Sequence, residues 1–245
     1  MNDKELAFYN EIKNWDFSQI KYSAESLTDW DLYTILNNVA KQDFCILDLG
    51  TGGGERVLEH FPRVKEILGT DFSDEMIKTA NDNLNKSNRT DISFKVMDNL
   101  NMTTQNDYFD IVVARHTPID AKQIYKTLKP NGILLLQGVD KLDCWALKML
   151  FKKGQAYDDK KPVSMLDYEN ILNAEFRKVE LVPIHVREYF NSKEDLLGLL
   201  LKTPIIRDDV NEQIDMKILN KYIKENTTDK GILLIRRYYG ITAVK

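Results

Sequence analysis

From Phe44 onward the chain alternates short apolar runs with stretches whose apolar positions recur at helical spacing. Phe44 to Leu49 predicts a buried strand ended by glycines, and Glu55 to Phe61 a short helix stopped by Pro62. Val64 to Gly69 predicts a second strand. Asp74 to Asn85 predicts a helix capped by Ser73, with Met76, Ile77, Ala80 and Leu84 turned inward. Ile92 to Met97 and Phe109 to Ala114 are the third and fourth strands, and Ala121 to Leu128 is the helix after them. Pro130-Asn131-Gly132 makes a turn into a fifth strand, Ile133 to Gln137. Strands alternating with helices predict a doubly wound, mostly parallel α/β sheet with helices on both faces and right-handed crossovers. Such sheets bind ligands at the carboxyl ends of their strands. The loops that begin at Gly50, Asp71, Asp98 and Arg115 are therefore where chemistry is expected.

The flanks follow a different pattern. Leu27, Trp30, Tyr33, Ile35, Leu36, Val39 and Ala40 form an apolar stripe of helical period, so residues 1–43 read as an N-terminal helical extension capped near Ser26 or Thr28. After residue 140, helices are expected over 142–151, 166–174, 193–202 and 211–225, an exposed loop over 154–162, and strands over 179–190 and 232–241. No repeat or flexible linker interrupts the sequence. The expected organisation is one domain over 1–245: the extension (1–43), a ligand-binding core (44–140), and a C-terminal part with further helices and closing strands (141–245).

Composition narrows the class. Hydrophobic residues make up 43% of the 245 residues and charged residues 29%, which suits a soluble fold with a sizeable core. The apolar runs are too short to cross a bilayer. The opening Met1-Asn2-Asp3-Lys4-Glu5 lacks the basic start and apolar stretch of a signal peptide, so the expected address is cytoplasmic. The 34 basic and 38 acidic residues give a net charge of −4, which disfavours attraction to a polyanion such as nucleic acid. Cys45 and Cys144 read as packed side chains, and His60, His116 and His185 are too scattered for a metal site.

The chemistry concentrates in Ile46-Leu47-Asp48-Leu49-Gly50-Thr51-Gly52-Gly53-Gly54-Glu55. A buried strand runs into four glycines within five residues and then into a helix, which lets a ligand approach the backbone closely. The dinucleotide spacing G-x-G-x-x-G fails at its third glycine, where Glu55 stands and would repel a pyrophosphate. The P-loop form is absent too. Asp71 ends the second strand 21 residues after Gly50, where a carboxylate can accept both hydroxyls of a ribose; that feature alone fits NAD equally well. Asp98 ends the third strand, where it can accept from an adenine amino group or serve as an ordinary loop aspartate.

Asp48-Leu49-Gly50-Thr51-Gly52-Gly53-Gly54, then Asp71, then Met97-Asp98, together with Tyr108 to Val113 and Leu128-Lys129-Pro130-Asn131-Gly132, resemble the class I (Rossmann-like) S-adenosylmethionine-dependent methyltransferases over residues 44–138. The resemblance implies a seven-stranded sheet whose last parallel strand is joined by an antiparallel neighbour. It also implies S-adenosylmethionine as cofactor, with S-adenosylhomocysteine as product. Asp48, Gly50, Thr51, Gly52 and Gly54 would hold the methionine portion, Asp71 the ribose, and Asp98 the adenine. Phe72 and Asn99 would line the adenine slot by adjacency. Residues 1–43 and the helical insertion 191–230 before the last strand depart from the family pattern and would shape the acceptor side, with Trp15, Tyr22 and Trp30 as candidate closing aromatics.

Methyl transfer from a sulfonium is an in-line displacement with a good leaving group, so the protein mainly positions the nucleophile and excludes water. A general base is needed only where the acceptor must lose a proton. His116, in Arg115-His116-Thr117-Pro118 after the fourth strand, is the candidate base, with a structural loop role as its plainer alternative. Arg115 is the candidate partner for the cofactor carboxylate or an anionic acceptor, and His185, Arg187 and Tyr189 alternate on one strand face. Asp195 to Pro204 resembles a late segment of the ribosomal RNA guanine-N1 methyltransferases, but the four-cysteine zinc module of those enzymes is missing here. The expected acceptor is a small molecule, with RNA second. A non-catalytic cofactor-binding protein and an NAD-dependent oxidoreductase are the remaining alternatives.

Overall fold

In the computed structural model, which describes residues 19–207 and 209–245, the alternation read from the sequence becomes a strand–helix series. The series runs β1 Tyr22–Ser26, α1 Leu32–Val39, β2 Cys45–Leu49, α2 Glu55–His60, β3 Glu66–Asp71, α3 Asp74–Leu84, β4 Ile92–Val96, β5 Phe109–Arg115 and α4 Ala121–Thr127. It continues with β6 Leu128–Val139, α5 Trp145–Phe151, α6 Val163–Asn173, β7 Arg177–Phe190, α7 Lys193–Lys202, α8 Met216–Asn226, β8 Thr227–Thr228 and β9 Gly231–Val244. The chain divides into two units. The first holds Trp30–Gly138, Ser164–Val182 and Tyr239–Lys245; the second holds the described residues up to Asp29, then Val139–Val163 and Pro183–Tyr238.

In the first unit β2 pairs in parallel with β3 on one side and β5 on the other; β4 adds in parallel beyond β3, and β6 beyond β5. All five residues of β2 are buried, as expected of a central parallel strand covered on both faces. The Lys245 amide donates to the Gly132 carbonyl, and the Tyr239 ring lies against Gly138, so the end of β9 runs antiparallel to β6. With the first half of β7, this unit carries the order β7-β9-β6-β5-β2-β3-β4. The mostly parallel α/β class is as expected, but the expected count of seven strands is corrected to nine for the whole sheet. The chain as a whole has two strands more, β1 and β8. One face of the unit packs Leu32 and Leu36 of α1, Val57 of α2 and Phe61 against Ile46, Ile67, Ile111 and Leu135.

The second unit has its own core. Leu147 and Phe151 of α5, Leu196, Leu199 and Leu200 of α7, and Leu219 and Tyr222 of α8 pack with Phe190, Ile232 and Leu234. Within the stretch Asp195 to Pro204, Leu196, Leu199 and Leu200 thus pack in this core, whereas Leu201 is exposed. Asp195 itself accepts from the Ser192 hydroxyl and the Lys21 amide, at 2.6 and 2.8 Å. Among the described residues no helix is long and apolar enough to cross a membrane.

Three local expectations are corrected. Tyr22–Ser26 is not helical but an exposed edge strand paired antiparallel with Val186–Phe190, and with few buried positions it shows no alternation to read. The cap of α1 is Asp31, whose carboxylate accepts the Thr34 amide at 2.7 Å; Ser26 and Thr28 are instead tied to each other in a turn leaving β1. Pro130-Asn131-Gly132 lies within β6 rather than before it, because a register shift between Phe109 and Ile111 accommodates the turn residues and lets Leu128 pair. Trp15 lies outside the described residues. Tyr22 stacks on Phe190 at 5.3 Å in the second unit, and Trp30 packs over Gly240 in the first.

Candidate functional site

The carboxyl ends of β2, β3, β4 and β5 all belong to the first unit, and four loops leave from them. The glycine loop after β2 is fixed by its amides. Gly50 and Thr51 both donate to the Thr70 carbonyl at 2.8 Å, and Gly52 donates to Asp71 Oδ2 at 3.0 Å. Gly50, Gly52 and Gly54 have φ of 74°, 56° and 77°, a conformation that other residues adopt only with strain. Their surroundings differ. A Cβ on Gly54 would lie 2.7 Å from Phe94 Cζ, so this glycine admits helix–sheet packing, whereas a Cβ on Gly52 would meet nothing within 4 Å. Gly52 is the loop residue that leaves open space above a positive-φ backbone. From below, Asn83 of α3 donates to the Gly53 carbonyl at 3.0 Å and to Glu55 Oε1 at 3.3 Å.

Asp71 is 8% exposed at the end of β3. Its Oδ1 accepts the Ser73 amide at 3.0 Å while Oδ2 accepts Gly52. Burial raises its carboxyl above the ordinary range against the pull of the Ser73, Gly52 and Phe72 amides. A carboxylate has more lone-pair sites than these amides fill, so it can still accept a hydroxyl donor. Ser73, not Asp71, caps α3, accepting the Met76 amide at 3.3 Å. Asp48 is more deeply buried in β2, and burial pushes its carboxyl up to about 7. Arg115 pulls it down by a smaller amount, and Asp71 pushes it up.

After β4, Asp98 is exposed and holds its own loop, accepting the Leu100 amide at 2.8 Å and the Asn101 amide group at 2.7 Å. The next residue, Asn99, is buried; its Nδ2 donates to Thr117 Oγ1 at 2.9 Å, and its Oδ1 has no donor among the described residues. Gln123 of α4 braces this loop by accepting the Met102 amide and donating to the Leu100 carbonyl. Phe72 is 42% exposed beside Asp71.

After β5, His116 takes φ 53°, its amide donates to the Gln137 carbonyl at 2.8 Å, and its exposed ring lies 3.4 Å from the Gln137 amide nitrogen. Arg115 is half-buried at the strand end. The predicted residues Asp48, Gly50, Thr51, Gly52, Gly54, Asp71, Phe72, Asp98, Asn99, Arg115 and His116 thus fall on the loops of one sheet end or the strand ends that feed them. His185, Arg187 and Tyr189 fall in the second unit, where Tyr189 is buried and donates to Glu25 at 3.2 Å. Asn83, Thr117 and Gln123 were missed: each is a single polar residue on a neighbouring element, with no spacing signal to mark it.

A family model for a methyltransferase domain matches residues 40–176, more than half of the chain and all of the loops just described. The chain belongs to the class I, S-adenosylmethionine-dependent methyltransferase family. A search of curated protein sequences gives no match. Among solved structures, this methyltransferase is similar to a Bacillus halodurans protein assigned as a methyltransferase, with TM-score 0.62 and 18% identity over 87% of this chain and 96% of that one. It is also similar to the YcgJ protein of Bacillus subtilis, with TM-score 0.59 and 15% identity over 87% and 97%. A third likeness is to Haemonchus contortus phosphoethanolamine N-methyltransferase 2, solved with phosphomonomethylethanolamine and S-adenosylhomocysteine; the TM-score is 0.54 and identity 18% over 89% of this chain and 53% of that one. At these identities the likeness is one of fold.

The residues present fit the family cofactor. The space over Gly52, the buried Asp71 carboxylate with free lone pairs, and the unfilled Asn99 Oδ1 offer room, acceptors for hydroxyls and an acceptor for an N–H. Glu55, exposed in the first turn of α2, adds negative charge where a dinucleotide's pyrophosphate would have to sit.

Proposed function

We propose that this chain transfers the methyl group of S-adenosylmethionine to a small-molecule acceptor. The observation that carries the cofactor site is the brace between Asp71 and Gly52, which sets a hydroxyl-accepting carboxylate beside the one loop glycine that opens onto free space. Thr51 and Gly52 form the floor for the methionine portion, Gly50 and Gly54 hold the loop in shape beneath it, and Arg115 receives its carboxylate. Asp71 takes the ribose hydroxyls, while Phe72, Asp98 and Asn99 line the adenine. Asp48, whose carboxyl is pushed up to about 7 by burial, adds negative charge near a cationic ligand when it is ionised. Bound there, S-adenosylmethionine supplies an electrophilic methyl group on a sulfonium. The protein's part is to orient, to exclude water and, where the acceptor carries a proton, to accept it at the exposed His116 imidazole.

The acidic balance of the chain supports a small acceptor over a polyanion, as does the likeness to an enzyme solved with phosphomonomethylethanolamine. Calorimetric titration with S-adenosylhomocysteine and NAD in parallel tests the cofactor. Binding of the first alone is expected, and binding of NAD alone would overturn the reading. Radiolabelled methyl transfer to a panel of small amines, phosphorylated amines, hydroxyl compounds and RNA tests the acceptor, with label on RNA alone overturning the small-molecule assignment.

A further inference from the structure

Gly50, the first glycine of the loop, is not open to a ligand. A Cβ there would lie 2.7 Å from Thr117 Cβ and 2.8 Å from Thr117 Oγ1. Thr117 therefore rests directly on the loop backbone, and the missing side chain at residue 50 is what admits it. From that seat Thr117 Oγ1 accepts the Asn99 Nδ2 at 2.9 Å. In this arrangement the carboxamide nitrogen is spent on Thr117, and Oδ1 is left. Asn99 is 6% exposed, and its Oδ1 has no donor among the described residues. A buried amide oxygen without a donor is costly, so it marks a place where a ligand donor completes the site.

We propose that Thr117 is a positioning residue for the cofactor: it orients the Asn99 carboxamide so that Oδ1 accepts an N–H of the bound ligand. This assignment rests on the S-adenosylmethionine reading above. It places the specificity of the loop after β4 in the Asn99 side chain, and it gives Gly50 a purpose other than ligand clearance. Two groups of the cofactor have the required chemistry, the exocyclic amine of adenine and the ammonium of the amino acid. With the threonine acceptor removed, the carboxamide is free to present either end, and a ligand N–H loses its fixed partner.

The test is a binding series on the full chain with three ligands: S-adenosylhomocysteine, its inosine analogue, in which the adenine amine is replaced by oxygen, and its desamino analogue, which lacks the ammonium. Thr117→Val keeps the shape that rests on Gly50 and removes the acceptor. It is expected to weaken S-adenosylhomocysteine by about ten-fold and to leave unchanged the affinity of whichever analogue lacks the relevant donor, which identifies the group. Thr117→Ser is expected to restore binding. Asn99→Ala should give the same ligand pattern and carries the test if Thr117→Val does not fold. A penalty equal across all three ligands would reveal loop packing and overturn the assignment, as would no penalty with S-adenosylhomocysteine. Wild-type protein that binds none of the three would overturn the cofactor reading itself, and this assignment with it.

Discussion

Asp71 Oδ2 accepts the Gly52 amide and Asp71 Oδ1 accepts the Ser73 amide, both at 3.0 Å, so one carboxylate closes the glycine loop and the start of α3 together. Asp71→Ala removes both acceptors and any acceptor offered to ribose hydroxyls. The expected result is a loss of S-adenosylhomocysteine affinity of about 1–3 kcal/mol, read by calorimetry. Unchanged affinity would show that the ribose lies elsewhere.

Asp48 gives a pH dependence. Its carboxyl titrates at about 7 in the folded chain against an ordinary 3.8. Below the lower value both states are protonated. Between the two, the folded state holds a proton that the unfolded chain has lost, so stability falls as pH rises and then levels off above about 7. The loss is on the order of a few kcal/mol. Asp48→Asn should abolish this fall, so urea midpoints of wild type and variant should diverge between pH 5 and pH 8. Parallel profiles would mean that Asp48 is ionised throughout.

Much of the fold was legible because β2, β3, β5 and β6 are largely buried parallel strands that read as apolar runs, and because glycines and acids mark the carboxyl ends. β1 was not legible: an exposed edge strand carries no inward face to pattern. The site was legible where a backbone requirement forces a residue type, as at Gly52 and Gly54, or where a charge must sit at a strand end, as at Asp71. It was not legible at Thr117, whose part depends on a contact with Gly50 across 67 positions of the chain and an amide 18 residues upstream. The glycine cluster read as wholly ligand-facing; the structure divides it, with Gly50 and Gly54 admitting side chains and Gly52 facing open space.

Arg236 in the second unit is held by two buried carboxylates. Its Nε lies 3.0 Å from Asp143 Oδ1, and its Nη1 lies 3.2 Å from Glu188 Oε2. Arg236→Leu removes the ion-pair partner of both acids, and Asp143 is only 1% exposed. A destabilisation of about 3–5 kcal/mol is expected, visible as a lowered denaturant midpoint. A midpoint unchanged at neutral pH would mean that the acids take up protons at little cost.

His116 is exposed, with a left-handed backbone, on the loop after β5. Because its side chain is assigned to the acceptor and not to the cofactor, His116→Ala should leave S-adenosylhomocysteine affinity within about two-fold, a change worth less than 1 kcal/mol. Once an acceptor is known, turnover should fall with that substrate if it must lose a proton. A large loss of affinity would move His116 to the cofactor side.

Gly52 and Gly54 separate ligand clearance from packing. Alanine at either position must take a positive φ, at a cost of about 1–2 kcal/mol. At Gly54 the new methyl would also lie 2.7 Å from Phe94 Cζ and 3.2 Å from Ala80 Cβ, whereas at Gly52 it would meet no protein atom within 4 Å. Gly54→Ala should therefore be the less stable variant by roughly a further 1–3 kcal/mol of overpacking, and Phe94→Leu in the same chain should recover part of that. Gly52→Ala should lose only the about 1–2 kcal/mol of the positive φ but lose cofactor affinity out of proportion, because the methyl enters the space assigned to the methionine portion. Thermal unfolding and calorimetry on the two variants check both halves. If Gly52→Ala bound S-adenosylhomocysteine as tightly as wild type, the open side of the loop would not be the cofactor's side.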